Sequence, residues 1–255
     1  MVVVRAPAKL TCSLRVTGTR ADGYHEIDAE MVTLDLADEL TFDEGDELEV
    51  VGADPGTMPE GLAVPEGDDN LVRRALAGLE RRASVRLVKR IPAGAGLGGG
   101  SADAAAVLRW ASCSDRRLAA SLGADVPFCM VGGRARVTGV GEVVTPLAPE
   151  ARTYTLLIPP FGVVTAEVYR AWDRLGGPTA DGPNDLEPAA LDVAPALAEW
   201  RDRLGDATGV TPALAGSGST WFVAGEFPGE GRIVARTTVS GTLVERTANE
   251  GREAD

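Results

Sequence analysis

Glycine is densest between Gly94 and Gly100, where five of seven residues are glycine. Residues 84–91 before this segment alternate between apolar and charged side chains and predict a strand. Residues 101–110 after it are rich in alanine and predict a helix with Ser101 as its N-cap. Because glycine has no Cβ atom, the backbone can approach a polyphosphate closely and add its N–H groups to the positive end of the helix. The segment therefore predicts a phosphate-binding loop, and the alternative is a flexible loop that merely requires glycine.

The glycine spacing also fits a rival pattern, since Gly94, Gly96 and Gly99 match the dinucleotide-binding fingerprint. That fingerprint needs a strand buried on both faces and an acidic residue ending a second parallel strand ~20 residues later. Charged residues interrupt the preceding strand at Arg86 and Lys89, and residues 102–125 are predicted to be helical. The GxxxxGK[ST] phosphate loop is absent because no lysine follows the glycines. A dinucleotide-binding oxidoreductase is therefore disfavoured.

The composition indicates a globular protein of 255 residues, 44% of them hydrophobic, which suffices for one large or two modest domains. A change in composition near residues 146–152 predicts a boundary that separates residues 1–150 from residues 151–255. The net charge of −13 argues against nucleic acid or an anionic membrane as the main partner. It still permits a local phosphate site made of backbone N–H groups and one or two cations. No stretch approaches the ~18 apolar residues of a membrane span, so we expect a cytoplasmic protein.

The cysteine and histidine content restricts redox and metal chemistry. Cys12, Cys113 and Cys129 are odd in number and far apart, which favours free thiols over a disulfide framework. His25 is the single histidine, so a metal site with several histidines is excluded. No CxxC or HExxH spacing occurs.

Further elements are predicted from periodicity and turn residues. The Asp22-Gly23 pair predicts a tight turn between two strands, and Gly123 is expected to end a helix. Pro127 is expected to hold Val126 in an extended conformation. The predicted strands cover residues 2–16, 26–36, 153–158, 210–215 and 221–224, and the predicted helices cover residues 70–82, 115–122, 165–172, 195–204 and 231–236.

Two charged residues lie in segments where a charge is unexpected. Lys9 follows Ala6, Pro7 and Ala8 in an apolar strand pattern, and Asp125 lies in a fixed turn before Pro127. Taken alone, each has an ordinary explanation. The lysine can point to solvent from a strand edge, and the aspartate can accept hydrogen bonds from backbone N–H groups of its turn.

Six segments, in their order along the chain, resemble the GHMP kinases, the superfamily of galactokinase and of homoserine, mevalonate and phosphomevalonate kinases. They are Ala6-Pro-Ala-Lys9, Arg20-Ala-Asp-Gly-Tyr24-His25, the stretch from Lys89 to Ser101, Gly123-Ala-Asp125-Val-Pro, Asn184-Asp-Leu-Glu187 and Gly216-Ser-Gly-Ser219. The Asp-Gly-Tyr-His stretch is similar to the branch that phosphorylates 4-diphosphocytidyl-2-C-methyl-D-erythritol. The resemblance implies an α/β (α+β) fold of two domains, with an N-terminal half like domain 2 of ribosomal protein S5 and a ferredoxin-like C-terminal half.

The same resemblance implies the residues that act on ATP. Asp125 would take the proton from the attacking hydroxyl, and Lys9 would stabilise developing charge beside it. Asn70 and Lys89 would lie near the adenine, and Mg²⁺ would bridge phosphate oxygens, with no protein ligand assigned. Ser101 either faces the metal or caps the helix. The residues implied to wrap the phosphates are Pro92, Ala93, Gly94, Ala95, Gly96, Leu97, Gly98, Gly99, Gly100, Ser101 and Ala102.

The resemblance also implies a substrate side. Tyr24 would stack on the cytosine ring, His25 would hydrogen-bond to it, and Tyr169 would form the opposite face of the clamp, with core packing as the alternative for Tyr169. The turn that contains Gly216 and Ser217 would close on the substrate. This chain departs from the family at Thr11, where asparagine is usual, which leaves the contact with the sugar alcohol open.

The function implied is ATP-dependent phosphorylation of the 2-hydroxyl of 4-diphosphocytidyl-2-C-methyl-D-erythritol, in non-mevalonate isoprenoid precursor biosynthesis. The partner is then a small molecule, and we expect a monomer or a weak homodimer. One alternative is a GHMP kinase for another small alcohol, which Thr11 favours and Tyr24-His25 opposes, because a cytosine clamp has no use there. A second is a non-catalytic sensor with the same fold. The presence of both Lys9 and Asp125 speaks against the sensor.

Overall fold

The computed structural model describes residues 1–52, 67–238 and 244–245. Its largest feature is an antiparallel hairpin of two long strands, β1 (Val2–Thr19) and β2 (His25–Asp43). The turn between them contains Gly23 at φ 85°, a left-handed conformation that glycine adopts without strain. The predicted hairpin is therefore confirmed, with a second strand longer than expected.

The hairpin is the centre of a seven-stranded sheet. Because β2 is long, its end pairs with β4 while its beginning pairs with β5. The order along the sheet is β11-β1-β2-β4-β3, with β6 added beside β5, and among its described strand pairs only β3 and β4 run parallel. The additional strands are β3 (Leu48–Gly52), β4 (Ser84–Lys89), β5 (Arg134–Gly139), β6 (Val143–Pro146) and β11 (Val244–Glu245).

Four helices accompany this sheet, namely α1 (Leu71–Gly78), α2 (Gly99–Trp110), α3 (Arg116–Leu122) and α4 (Val126–Val131). Helix α2 is the central one and contacts α1, α4 and β1. Its residues from Ala102 to Leu108 are all buried, and four of these seven are alanine. Small side chains let the helix lie close to the strands, which sets the position of the glycine-rich segment at its N-terminus.

The second half of the chain forms a four-stranded antiparallel sheet in the order β10-β7-β9-β8. Numbered from its own start, this order is 4-1-3-2, that of a ferredoxin-like sheet. A seven-residue connection, 225–231, replaces the helix expected before the last strand. The elements are β7 (Thr153–Leu157), α5 (Thr165–Arg174), α6 (Glu187–Val193), α7 (Leu197–Thr208), β8 (Ala213–Leu214), β9 (Trp221–Ala224) and β10 (Arg232–Arg236).

The two halves share their cores. One buried cluster joins Leu10 and Leu34 of the hairpin to Leu156 and Phe222 of the second sheet. Strand β11, from the end of the chain, pairs with β1 of the first sheet. The division at residue 150 stays a prediction, although the chain changes from one sheet to the other between β6 and β7.

Three local predictions are wrong. Ser101 is not the N-cap of α2, because the helix begins at Gly99 and its N-cap is Gly98. Val126 is helical, since Pro127 occupies the first turn of α4, where its missing N–H costs no hydrogen bond. Residues 232–236 form a strand instead of a helix, because they pair with β7 along their whole length.

Other expectations hold within the described part of the chain. Cys12, Cys113 and Cys129 are free thiols. None of the described helices is both long and apolar enough to cross a membrane. Helix α3 ends at Gly123 as expected, and the Asp115 side chain caps its N-terminus.

Candidate active site

A cavity of about 800 Å³ lies between the glycine-rich segment, the hairpin, the start of α4 and helix α5. Most of the predicted site residues line it, and three do not: Asn70, Lys89 and Ala102. The predicted residues on its wall are Lys9, Thr11, Tyr24, His25, Pro92, Ala93, Gly94, Ala95, Gly96, Leu97, Gly98, Gly99, Gly100, Ser101, Asp125, Tyr169, Gly216 and Ser217. Residues that are far apart in sequence are thus brought to one cavity.

Lys9 and Asp125 form an ion pair on the cavity wall. The distance between Lys9 Nζ and Asp125 Oδ2 is 3.3 Å, and the ammonium also donates to Thr11 Oγ1 at 3.2 Å. The Lys9 side chain is 7% exposed and that of Asp125 is 31% exposed. The carboxylate is therefore accessible from the cavity while the ammonium lies behind it. Neither ordinary explanation for these residues applies, because the lysine points inward and the aspartate faces a cation.

The glycine-rich segment needs glycine for its conformation and for its packing. Gly98 has φ +68°, and a Cβ atom there would lie 2.7 Å from Lys9 Cγ. The Lys9 N–H donates to Leu97 O at 3.0 Å, which fixes the strand to the loop. The amide groups of residues 94–98 donate no hydrogen bond to any described residue. Together with the N-terminus of α2, these amides form a surface suited to an anion.

A second glycine turn supports the first. Thr220 donates to Ala95 O through its N–H at 3.1 Å and through its hydroxyl at 2.6 Å. A Cβ atom on Gly96 would collide with Gly218 O and would lie 2.7 Å from Ala215 O. The two backbones therefore touch, which explains the glycine at position 96 without reference to a ligand.

Asn184 anchors this second turn, and the sequence alone assigned it no role. Its side-chain amide donates to Leu214 O at 2.9 Å and to Gly216 O at 2.7 Å. Its Oδ1 accepts the N–H of Leu186 at 2.9 Å. The signal was present in the Asn184-Asp-Leu-Glu187 segment, yet the partners are carbonyl groups, which no sequence pattern reveals.

Lys89 lies in a buried group of ion pairs. Its side chain is 2% exposed, and its ammonium pairs with Asp38 and, at 2.8 Å, with Asp103 of α2. Burial alone would lower the pKa of Lys89, but the two carboxylates outweigh it and raise this pKa. The side chain is therefore engaged in ion pairs and does not line the cavity, and the position of Lys89 near the adenine stays a prediction.

The buried group of Asp38, Lys89 and Asp103 holds both ends of the glycine-rich segment. Asp38 Oδ1 accepts the N–H groups of Arg90 and Ile91, where the segment begins, at 2.5 and 2.8 Å. Lys89 then joins Asp38 to α2, where the segment ends. Burial, aided by the charge of Asp38 and opposed by Lys89, raises the pKa of Asp103 to about 7.

Asn70 and Ala102 lie off the cavity wall, whereas Ser101 lies on it. Asn70 is 5% exposed and its side chain caps α1 by accepting the N–H of Val72 at 2.8 Å. Ala102 is fully buried in α2, so its side chain cannot contact a ligand. Ser101 faces the cavity, and its hydroxyl has no hydrogen-bond partner among the described residues.

An aromatic cluster lies at the far end of the cavity. The His25 ring stacks on Tyr169 with centroids 4.8 Å apart, and the edge of Trp172 meets it at 5.5 Å. Tyr24 is 65% exposed and lines the same end. Burial, and then the charge of Asp125, raises the pKa of Tyr169, so the phenol is neutral. The ring that faces Tyr169 is thus His25, and the predicted clamp between Tyr24 and Tyr169 stays a prediction.

Several residues of the cavity wall cannot be recognised from the sequence, because their apolar strand pattern is the same as that of residues in the hydrophobic core. Leu14, Ile27 and Met31 are apolar strand residues that face the cavity floor. Helix α5 contributes Arg170 and Asp173, which an amphipathic helix presents equally well to solvent. Only the packing of α5 against the hairpin reveals that these side chains border a cavity.

The comparisons agree with this geometry. A family model described as GHMP kinases N terminal domain matches residues 70–133, which contain the glycine-rich segment and Asp125. A 4-diphosphocytidyl-2-C-methyl-D-erythritol kinase of Paracoccus denitrificans (strain Pd 1222) is 38% identical and is aligned over 93% of this chain and 91% of the relative. The kinase of the same name from Pelotomaculum thermopropionicum is 36% identical, over 98% of this chain and 99% of the relative.

Solved structures extend the comparison to three dimensions. A crystal structure of a 4-(cytidine 5'-diphospho)-2C-methyl-D-erythritol kinase is 32% identical with a TM-score of 0.71, covering 92% of this chain and 98% of that one. A putative homoserine kinase from Listeria monocytogenes shares the fold alone, at 18% identity and a TM-score of 0.58, over 97% of this chain and all of that one. With Lys9, Asp125 and the glycine-rich segment around one cavity, the chain belongs to the 4-diphosphocytidyl-2-C-methyl-D-erythritol kinases, a family of phosphotransferases with the GHMP kinase fold.

Proposed function

We propose that this kinase transfers the γ-phosphoryl group of ATP to the 2-hydroxyl of 4-diphosphocytidyl-2-C-methyl-D-erythritol. The observation that carries the proposal is the Lys9–Asp125 pair at 3.3 Å, on the wall of the same cavity as a loop whose amides lack acceptors. A base, a cation and an anion-binding surface are the parts that phosphoryl transfer requires, because positioning and charge stabilisation dominate its catalysis.

Asp125 acts as the base. Its carboxylate accepts the hydroxyl proton while the substrate oxygen forms a bond to the γ-phosphorus. The bond from the γ-phosphorus to the bridging oxygen breaks, and ADP leaves with the electron pair. Lys9 lies next to Asp125 and behind the loop, where its ammonium stabilises charge on the transferred group.

The glycine-rich segment binds the phosphates of ATP through its free amides and the N-terminus of α2. Mg²⁺ prefers oxygen ligands, and the site offers the unpartnered hydroxyl of Ser101 near those phosphates. The described residues contain no group of three or more His, Cys, Asp or Glu side chains suited to a metal. Phosphate oxygens and Ser101 would therefore hold the ion, whose charge neutralises the phosphates.

The aromatic cluster binds the cytosine ring. Tyr24 offers an exposed ring for stacking, and His25 offers a ring nitrogen beside it. Thr11 already accepts a hydrogen bond from Lys9, so its hydroxyl has less freedom to contact the sugar alcohol than an asparagine has. We further expect a cytoplasmic monomer or weak homodimer.

The test measures ADP release with ATP and Mg²⁺, in parallel with the cytidyl substrate, its uncytidylated monophosphate precursor, homoserine and mevalonate. We expect turnover with the cytidyl compound alone. Asp125→Asn should lower kcat by about 10²–10⁴-fold, the usual contribution of a general base. Asp202→Asn, which neutralises an exposed aspartate paired with Arg201, is the matched control and should keep wild-type turnover.

Turnover with another alcohol would support the kinase activity and contradict the proposed cytosine-binding site. No ADP release with any of the four compounds would favour the non-catalytic sensor. Near wild-type kcat in Asp125→Asn would refute the proposed base.

A further inference from the structure

His25 is held on three sides by α5 and has one nitrogen left for a ligand. Its Nε2 lies 2.8 Å from Asp173 Oδ1, Tyr169 stacks on its face, and the edge of Trp172 packs against it. The side chain is 9% exposed, so the ring is fixed in orientation. No described residue bonds to Nδ1, although His25 lines the cavity.

The hydrogen-bond partner of Nε2 determines whether Nδ1 donates or accepts a hydrogen bond. A carboxylate only accepts hydrogen bonds, so Nε2 must carry the proton that it donates to Asp173. In the neutral ring Nδ1 then has a free lone pair and can only accept. His25, which lines the cavity, therefore carries an acceptor at Nδ1 whose tautomer is set by the Asp173 contact at Nε2.

We infer that Asp173 is a positioning residue that makes this site select an amino-bearing pyrimidine over its carbonyl analogue. The inference rests on the proposed function, in which His25 contacts the pyrimidine. The exocyclic amino group of cytosine donates a hydrogen bond to Nδ1. The corresponding carbonyl oxygen of uracil would place one lone pair against another.

The support for Asp173 is local. It lies on α5, four residues after Tyr169, so both side chains project toward the hairpin from one face of the helix. Trp172 is held in turn by its indole N–H, which donates to Pro178 O at 3.0 Å. The Asp173 side chain is 50% exposed, and the ion pair described for it is the one with His25.

The single histidine makes the tautomer directly measurable. In tag-free, ¹⁵N-labelled protein, long-range ¹H–¹⁵N spectra recorded on the neutral form of the His25 ring should show a protonated Nε2 and an unprotonated Nδ1. Asp173→Asn should move the ring toward a mixture of tautomers, because an amide both donates and accepts. The matched control is Asp192→Asn, which neutralises an aspartate of similar exposure whose partner is Arg174.

The second measurement compares the affinities of the protein for CDP and UDP. Titrations with CDP and UDP, followed at the His25 signals, should show CDP bound at least 10-fold more tightly by the wild type and by Asp192→Asn. Asp173→Asn should reduce this preference at least threefold, and the kcat/KM ratio for the cytidyl and uridyl substrates should fall in parallel. A purely structural defect would weaken both ligands equally and leave their ratio unchanged.

Two results would overturn the inference: a protonated Nδ1 in the wild type, or an unchanged tautomer and CDP preference in Asp173→Asn. Failure of the proposed function is distinguishable, because it would abolish turnover of the cytidyl substrate while the tautomer and the nucleotide titrations still report on Asp173.

Discussion

Gly96→Ala should destabilise this protein far more than the same change at Gly100, four residues away. Gly96 has φ +77°, a conformation that costs an L-residue roughly 1–2 kcal/mol. Its new Cβ atom would also meet the backbone oxygens of Gly218 and Ala215, neither of which can move without shifting the second glycine turn. Separation of the two turns would weaken both hydrogen bonds from Thr220 to Ala95 O, each worth about 1 kcal/mol.

These terms give a loss of about 3 kcal/mol in the free energy of unfolding, and a fall in Tm of about 6–12 °C for a chain of this size. At Gly100, in the first turn of α2, the new Cβ atom would make one ordinary contact, 3.5 Å from Leu71 Cδ1. There alanine should stabilise the helix by up to about 1 kcal/mol. Urea unfolding of both variants tests the pair, and equal midpoints would refute the reasoning.

The remaining predictions concern buried polar groups. The folded protein holds the pKa of Asp103 at about 7, above its ordinary 3.8, so this group's contribution to stability is complete below pH ~4 and is lost as the pH rises to ~7. Wild type should therefore lose stability relative to Asp103→Asn across that range, by on the order of 1 kcal/mol per pH unit, and a constant difference in urea unfolding would contradict this. Asn184→Ala should cost about 2–3 kcal/mol, because the buried carbonyls of Leu214 and Gly216 lose their donor. Thr208→Ala, which removes a less buried bond to Leu204 O, is its control and should cost under about 1 kcal/mol.

Local predictions succeeded where the signal depends on neighbours in sequence. The Asp22-Gly23 turn, the strand before the glycines and the helix that ends at Gly123 all follow from turn residues, side-chain period and capping. They failed where partners elsewhere decide. Residues 232–236 have no strong local preference, and pairing with β7 makes them a strand. Pro127 restricts its predecessor in general, yet the turn at Asp125 places it where a helix tolerates proline.

The candidate site shows the same division. Lys9, Asp125 and the glycines were identifiable because a charge in an apolar strand and a run of glycine are unusual. The ion pairs of Lys89 cannot be predicted locally, because the charges that neutralise it lie 51 and 14 residues away and meet only in the folded chain. Nothing in the sequence distinguishes Asp173, since an aspartate on an exposed helix face is common and its partner His25 is identified only in the folded chain.

The sequence by itself therefore determined the glycine-rich loop, its strand and helix, and the residue types that the proposed phosphoryl transfer would use, because these depend on backbone freedom and local charge. The tertiary structure alone decided which charges are accessible and which are neutralised. Lys9 faces Asp125 at a cavity, whereas Lys89 is enclosed between two carboxylates. The physical reason is that burial and ion pairing depend on how distant segments of the chain pack together. The sequence gives neither the distances between charged groups nor their exposure to solvent.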